Sequence, residues 1–225
     1  MSSVFVSWSG GKDSCLAGYR AVAGGLKVRY LANTVTGDGR RSRSHGLSAE
    51  VLQTQSQAVG IPLVQRRTTR SNYEAQFKEM LLTFKEAGIS GGVFGDIDFN
   101  EHRRWIERVC REAKITPHLP LWGESQDKIM RDFIGLGFEA VVVTTKADRL
   151  GEEWLGRRVD LAFLEQLAAL SQTRDITLCG EAGEYHTLVV NGPLFKQRME
   201  ILESRKVLRE GHWFLEISKT GLGDK

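Results

Sequence analysis

No apolar run in this chain approaches the roughly 20 residues that a membrane-spanning helix requires, so no membrane span is expected. The N-terminus lacks a basic segment followed by a long apolar one, so no secretory signal is expected. Cysteine is scarce. Cys15, Cys110 and Cys179 stand far apart, odd in number and without a C-x-x-C pair. That spacing argues against a disulfide framework and against a zinc site, and reduced thiols in the cytoplasm are the simplest reading. An excess of one charge is also missing: 31 Lys+Arg against 28 Asp+Glu leave +3, too little to argue for nucleic acid as a partner. Internal repeats and low-complexity tracts are absent.

What is present is a soluble globular composition, 41% hydrophobic and 26% charged over 225 residues, enough for one large domain or two small ones with a real core. Strand-like and helix-like segments alternate through the first half. Val4 to Trp8 reads as a buried strand, and Lys27 to Val35 as a second. A helix capped by Ser48 runs to Val59 and stops at Gly60-Ile61-Pro62. Leu63 to Thr68 is a third strand, Ser71 caps a helix ending near Gly88, and Gly91 to Ile97 is a fourth strand with its outgoing turn. Asn100 caps the next helix, and the prolines in Thr116 to Leu121 put that segment at a sheet edge. Repeated βα units imply an α/β fold with a Rossmann-like parallel sheet, whose ligands bind beyond the carboxyl ends of the strands. From about Ser125 the pattern changes to a smaller, mixed α+β unit. It holds a strand at Phe138 to Thr145, a helix from about Val159, strand-like runs at Ile176–Cys179 and Thr187–Val190, and two alternating segments near Ile201 and Leu215. The division expected is 1–122 and 123–225.

The most informative stretch is Ser9-Gly10-Gly11-Lys12-Asp13-Ser14, between the first strand and the first helix. Two glycines let backbone N–H groups approach an anion, and the helix start adds unpaired donors and a positive dipole end. Lys12 adds charge, and Ser9 and Ser14 add hydroxyls. This is not a Walker A loop: reading back from Gly11-Lys12, the first glycine of that pattern falls on Val6 and its Ser/Thr on Asp13. Loops after other strands converge on the same crevice, with Asn33-Thr34 after the second and Gly95-Asp96 after the fourth. Asp96 ends a buried strand, where a lone carboxylate is costly, so it binds a backbone N–H, Arg103, a metal or a nucleotide hydroxyl. His102 is either a partly buried histidine covering the core or a site residue. Trp122 either packs between the domains or walls a pocket. Arg40-Arg41-Ser42-Arg43, with His45 behind it, reads as a solvated loop or as a flap over phosphates. Gly180-Glu181-Ala182-Gly183-Glu184-Tyr185-His186-Thr187 concentrates carboxylates, an imidazole and a hydroxyl; it could hold ammonium, Mg²⁺ or a nucleophile, or be an exposed polar hairpin. Cys179 adjoins it, with a reactive thiol as one reading.

S-G-G-K-D-S, then G-D-I with H-R-x-W-I-E-x-V-C, then P-L-W, then G-E-x-G-E-Y-H-T resembles the diphthine–ammonia ligase family of PP-loop ATP pyrophosphatases, from residue 3 to about 190. The resemblance implies a HUP-type nucleotide-binding domain and a reaction in which ATP adenylates the carboxylate of diphthine on elongation factor 2. Ammonia then displaces AMP to leave diphthamide. It implies ATP contacts at Ser9, Gly10, Gly11, Lys12, Asp13, Ser14, Asn33, Thr34 and Gly95. It implies Mg²⁺ at Asp13 or Asp96, and catalytic roles for Lys12, Asp96, Glu181 and Glu184. Acceptor and ammonia contacts fall on His102, Arg103, Trp122, Gly183, Glu184, His186 and Thr187. Glu181 or Glu184 would orient ammonium and take its proton, with His186 a third candidate. Two alternatives stay open: a different, small-molecule carboxylate acceptor, or a non-catalytic adenine-nucleotide sensor. The sequence also leaves open whether the chain forms a homodimer.

Overall fold

A computed structural model describes residues 2–43 and 45–225. Five strands form a parallel sheet in the order β3-β2-β1-β4-β5: β1 (Ser3–Ser7), β2 (Lys27–Val35), β3 (Leu63–Arg67), β4 (Gly91–Val93) and β5 (Thr116–His118). Val4, Phe5 and Val6 are all buried, as a central parallel strand covered on both faces demands. Helices α1 (Lys12–Ala23) and α2 (Ala49–Val59) follow β1 and β2; α3 (Tyr73–Glu86) and α4 (Asn100–Ala113) follow β3 and β4. The chain steps outward from β1 to β3, then returns to lay β4 on the other side of β1. Strand order therefore reverses between β1 and β4, and the crevice at their carboxyl ends is where such sheets bind ligands.

A second sheet is antiparallel in the order β7-β6-β9-β8: β6 (Glu139–Lys146), β7 (Tyr185–Asn191), β8 (Arg198–Arg209) and β9 (His212–Gly223), with α5 (Gln126–Gly135) and α6 (Leu161–Ser171). Its apolar residues are continuous with one side of the first sheet. Val6, Leu16 and Leu52 share a core with Phe133, Val142, Phe163 and Leu188. The opposite face of the first sheet has its own core, Phe5, Phe77, Phe84, Phe94 and Ile106, beneath α3 and α4. The second sheet thus leans on the face that carries α1 and α2, over the first turn of α1.

Local signals set most boundaries. Ser48 caps α2, its hydroxyl accepting from the Val51 N–H, and Gly60 closes it with φ 74°. Others shift from the sequence expectation. Asn72 rather than Ser71 precedes α3, and Phe99 rather than Asn100 precedes α4, neither with a side-chain cap. β4 stops after Val93, whose pairing with His118 is closed by the Phe94 N–H on the His118 carbonyl, and the chain then crosses over Asp13. Ile176–Cys179 is not a strand: the Ile176 N–H turns back to the Arg174 carbonyl, and those of Thr177 and Cys179 go to the Glu184 carboxylate and Gln126 Oε1.

Candidate active site

The phosphate loop is braced from both halves of the chain. Gly10 has φ 83°, and a Cβ there would come within 2.5 Å of Leu52 Cδ2. Behind it the buried Gln55 accepts from Trp8 Nε1 (2.8 Å) and donates to the carbonyls of Gly10 (2.9 Å) and Val189 (2.7 Å). Within the loop the Gly11 N–H donates to Ser9 Oγ, and Ser14 Oγ donates to the Gly11 carbonyl. Gly11 precedes α1 without a side-chain cap, which leaves that helix end suited to an anion. One donor is engaged from the far half, since the Lys12 N–H donates to Thr187 Oγ1 (3.1 Å). Thr187 is thus a clamp on the loop, although the sequence places it in an acceptor pocket.

Lys12 is 4% exposed and does not reach freely into solvent. Its ammonium pairs with Asp13 Oδ2 (2.8 Å), donates to the Cys179 carbonyl and lies 5.3 Å from the Tyr185 ring centre. Burial pulls its proton affinity down, but Asp13, Tyr185 and Cys179 outweigh that and hold it above the usual lysine value. Asp13 is itself raised, because burial outweighs the attraction of Lys12 and the nearby Asp96 adds repulsion. Asp13 Oδ1 is buried with no partner among the described residues, an acceptor waiting for a cation or a hydroxyl. Asn33 Oδ1 is in the same condition, while its Nδ2 donates to the Trp8 carbonyl.

Three cavities adjoin. The first, about 260 Å³, is lined by Ser9, Asp13, Ser14, Asn33, Thr34, Gly95 and Asp96, with Tyr73 and Glu181 closing it. The second, about 190 Å³, lies on the other side of the loop and is bounded by Lys12, Asp13, His45, Glu181, His186 and Thr187. Asp13 and Glu181 line both, so the two meet there. A third, about 400 Å³, opens from the first between α3 and α4, walled by Tyr73, Phe77, Phe94 and Trp105 with Asp96 and His102 at its edge. Gly95 is needed for this meeting. A Cβ on it would fall 2.9–3.0 Å from backbone atoms of Asp13 and Ser14, which cannot swing away. Gly95→Ala should push the first turn of α1 and cost about 1–3 kcal/mol. Unchanged stability in chemical denaturation would show that the two segments can part.

The two glutamates of the Gly180–Thr187 turn separate cleanly. Glu184 is 2% exposed, and its oxygens accept from the N–H groups of Thr177 and Ala182. It lines none of the three cavities, so the expected role of orienting ammonium is corrected: the carboxylate is spent holding the turn. Glu184→Gln sets an amide NH₂ against one of those N–H groups and should cost about 1–3 kcal/mol in chemical denaturation; an unaltered midpoint would restore it as a free site group. Glu181 differs. The residue is exposed at the rim, yet its carboxyl overhangs the junction of the cavities. Loss of water there, with Asp13, Asp98 and Asp96 against Lys12, pushes it up to about 7.

Asp96 and His102 come together, Oδ1 to Nδ1 at 3.4 Å, and this contact holds the imidazole above its usual value. The histidine is 66% exposed, so it does not cover the core. Arg103 and Trp122 are not brought to the site. The guanidinium stacks 4.9 Å over the Trp122 ring and pairs with Glu107, and neither lines these cavities. Cys179 is buried, and burial first, with nearby carboxylates outweighing Lys12, pushes its thiol up to about 12. The basic segment is a pinned strap rather than a solvated loop, with Arg41 paired to Glu216 (2.7 Å) and Arg43 donating to the Thr68 carbonyl. Sequence reasoning missed Gln55, whose signal is one glutamine on the apolar side of α2. It also missed Tyr73, and the place of His45 over Gly11. Among the described residues no cluster of three His, Cys, Asp or Glu is spaced to hold a metal alone. No helix among them is long and apolar enough to cross a membrane.

Family models describe the same two halves. The diphthamide synthase N-terminal domain matches residues 2–117, and the diphthamide synthase C-terminal domain matches residues 125–222. The chain belongs to the diphthamide synthase family. Its first half is the PP-loop, HUP-type unit of that family. The family's diphthine–ammonia ligase from Rattus norvegicus is 28% identical over 235 residues, covering 93% of this chain and 86% of that one. The Homo sapiens ligase of the same name is 26% identical over 233 residues with the same coverages. A crystal structure titled as a predicted subunit of tRNA methyltransferase from Methanocaldococcus jannaschii overlays with a TM-score of 0.49 at 16% identity, covering 85% of this chain and 98% of that one.

Proposed function

We propose that this family member adenylates the carboxylate of diphthine on elongation factor 2 and passes the acyl group to ammonia. The observation that carries the reading is the meeting of two cavities at Asp13 and Glu181, one on each side of the phosphate loop. A carboxylate is a poor acyl donor because its leaving group would be an oxide or hydroxide. Attack by its oxygen on the α-phosphorus of ATP breaks the bond to the β-phosphate, releases pyrophosphate and leaves an acyl-adenylate with AMP as a good leaving group. Negative charge grows on the departing phosphates, where Lys12, Ser9, Ser14 and the start of α1 can stabilise it. The nucleoside occupies the first cavity, with the unpaired Asn33 Oδ1 facing a donor of the base or sugar and Gly95 allowing close approach.

Glu181 then acts on ammonium at the junction. It accepts one proton, freeing ammonia to attack the acyl carbon; the C–O bond to AMP breaks, and the surplus proton of the new amide goes to water. A group that titrates near neutrality suits this work. Mg²⁺ fits the donor set as a shared ligand: the orphaned Asp13 Oδ1, with Asp96 near it, supplies one or two carboxylates, and the phosphates supply the rest. When bound it would neutralise phosphate charge. In this reading residues 1–122 supply the nucleotide chemistry and 123–225 the turn that completes it.

The test is ³¹P NMR of products from ATP and Mg²⁺ with diphthine-bearing elongation factor 2, and separately with small carboxylates. AMP and pyrophosphate with the first acceptor support the full reading; with the second only, they move the acceptor. ADP and phosphate refute the chemistry. Tight ATP binding without turnover makes the protein a sensor.

A further inference from the structure

The second cavity holds more than the phosphate loop requires. His45 reaches it from the strap that follows β2, and its ring lies against Gly11 so closely that a Cβ there would collide with it. The far half fixes this histidine twice. Its carbonyl accepts from Thr144 Oγ1 (3.1 Å), and its Nδ1 sits 3.1 Å from the Thr187 carbonyl. A carbonyl only accepts, so Nδ1 carries the hydrogen, and in the neutral ring Nε2 is left as a lone pair. His186 stacks on that ring, centres 4.5 Å apart and planes at 21°. Nothing among the described residues hydrogen-bonds its ring nitrogens.

Two stacked imidazoles beside a buried ammonium are a poor place for a further positive charge while the cavity holds only water. Burial first, then His186 and Lys12, keep His45 well below its usual value. Burial, then Lys12 and His212, pull His186 down to about 4. The other ionisable groups around the cavity are Asp13, Cys179, Glu181 and Tyr185. Among the described residues Lys12 is the one fixed cation on this wall, and Asp13 already pairs with it. A multiply charged anion placed here would therefore meet too little positive charge, unless one imidazole changes its protonation. It would find two rings able to supply that charge, but not both at once, because like charges at this separation repel.

Resting on the adenylate-forming reading above, we propose that this cavity receives the departing pyrophosphate, and that His45 and His186 grip it with Lys12 while the pair takes up one proton from solvent. The strap thereby carries a phosphate-gripping residue to the loop from outside the glycine motif. The proton makes the grip conditional on the anion, so positive charge appears where pyrophosphate has formed and is withdrawn when it leaves.

The experiment is isothermal titration of the full chain with magnesium-free sodium pyrophosphate at pH 7, in buffers of contrasting ionisation enthalpy. The protein should take up about one proton beyond the change in the ligand's own ionisation. In the double variant His45→Asn/His186→Asn the uptake should vanish and affinity should fall about a hundredfold, while each single variant, left with one ring to take the proton, should keep uptake and lose about tenfold in affinity, the scale of one lost charge-assisted hydrogen bond. AMP affinity should stay unchanged as the check on folding. Should any variant fold poorly, the wild-type ring resonances decide: His45 or His186 should move to imidazolium shifts on adding pyrophosphate at pH 7. Absence of proton uptake in wild type, or folded variants that keep both uptake and affinity, overturns the inference. Formation of AMP from ATP with no uptake sinks this proposal alone; uptake with no AMP formation sinks the reaction and spares the site.

Discussion

Replacing Lys12 by methionine should lower AMP formation by about 10²–10³, on the scale of losing one donor to a developing anion. Methionine keeps an apolar stem against Tyr185 and removes the ammonium together with its bonds to Asp13 and the Cys179 carbonyl. Two effects then act together. The departing phosphates lose a cation, and Asp13 keeps a half-buried carboxylate, its Oδ1 enclosed, without its partner, so breaking the pair costs more than never having had it. Single-turnover formation of AMP, measured beside AMP binding, separates these. Lost turnover with near-normal AMP affinity places Lys12 in the chemistry; an unchanged rate removes it. Lys12→Arg should not rescue, because the ammonium fits between Asp13, the Cys179 carbonyl and the Tyr185 ring, where a planar guanidinium has no room.

Glu181→Gln should cost about 10²–10⁴ in amide formation, the range of a lost general base, while leaving ATP–pyrophosphate exchange within a fewfold of wild type. The pH dependence gives the sharper signature. The base works when ionised, and its carboxyl is raised from the ordinary glutamate value to about 7. The Glu181-dependent rate should therefore climb about tenfold per pH unit below 7 and level off above it. Free ammonia also increases with pH, so the comparison is with the variant's own profile, from which this limb should be missing. For stability the sign runs the other way. A carboxyl raised on folding contributes most below its unfolded value of 4.5, and that contribution fades as pH rises through about 7. Glu181→Gln should then be no less stable than wild type at pH 8 by chemical denaturation, even as its activity falls. A variant that loses exchange along with amide formation would mean that Glu181 serves the first step instead.

Glu181 and Glu184 show where reading the chain stops. They lie three residues apart in one glycine-rich turn, and their local chemistry is identical. One is at the rim over a crowded floor, and the other is enclosed with both oxygens on backbone N–H groups. Which is which depends on how the turn folds against Thr177, a contact no spacing rule reveals. Arg103 and His102 are neighbours in one motif, yet the rotation between successive helical residues sends one to Trp122 and the other to Asp96. Gln55 and Thr187 are farther still from any motif logic. They brace Gly10 and Lys12 from 45 and 175 residues away.

The sequence alone determined the parallel sheet, the loop that opens α1 and the convergence of the strand ends. These follow from short-range physics: apolar runs that must be covered, glycines that permit close approach, and helix starts that favour anions. Tertiary structure decided which side chains share the site. It docked the antiparallel sheet over the first turn of α1, brought His45 and His186 face to face, and buried Lys12 against Asp13. Charge and water access at each group depend on neighbours far along the chain. Protonation and role could therefore be assigned only once the two halves were packed together.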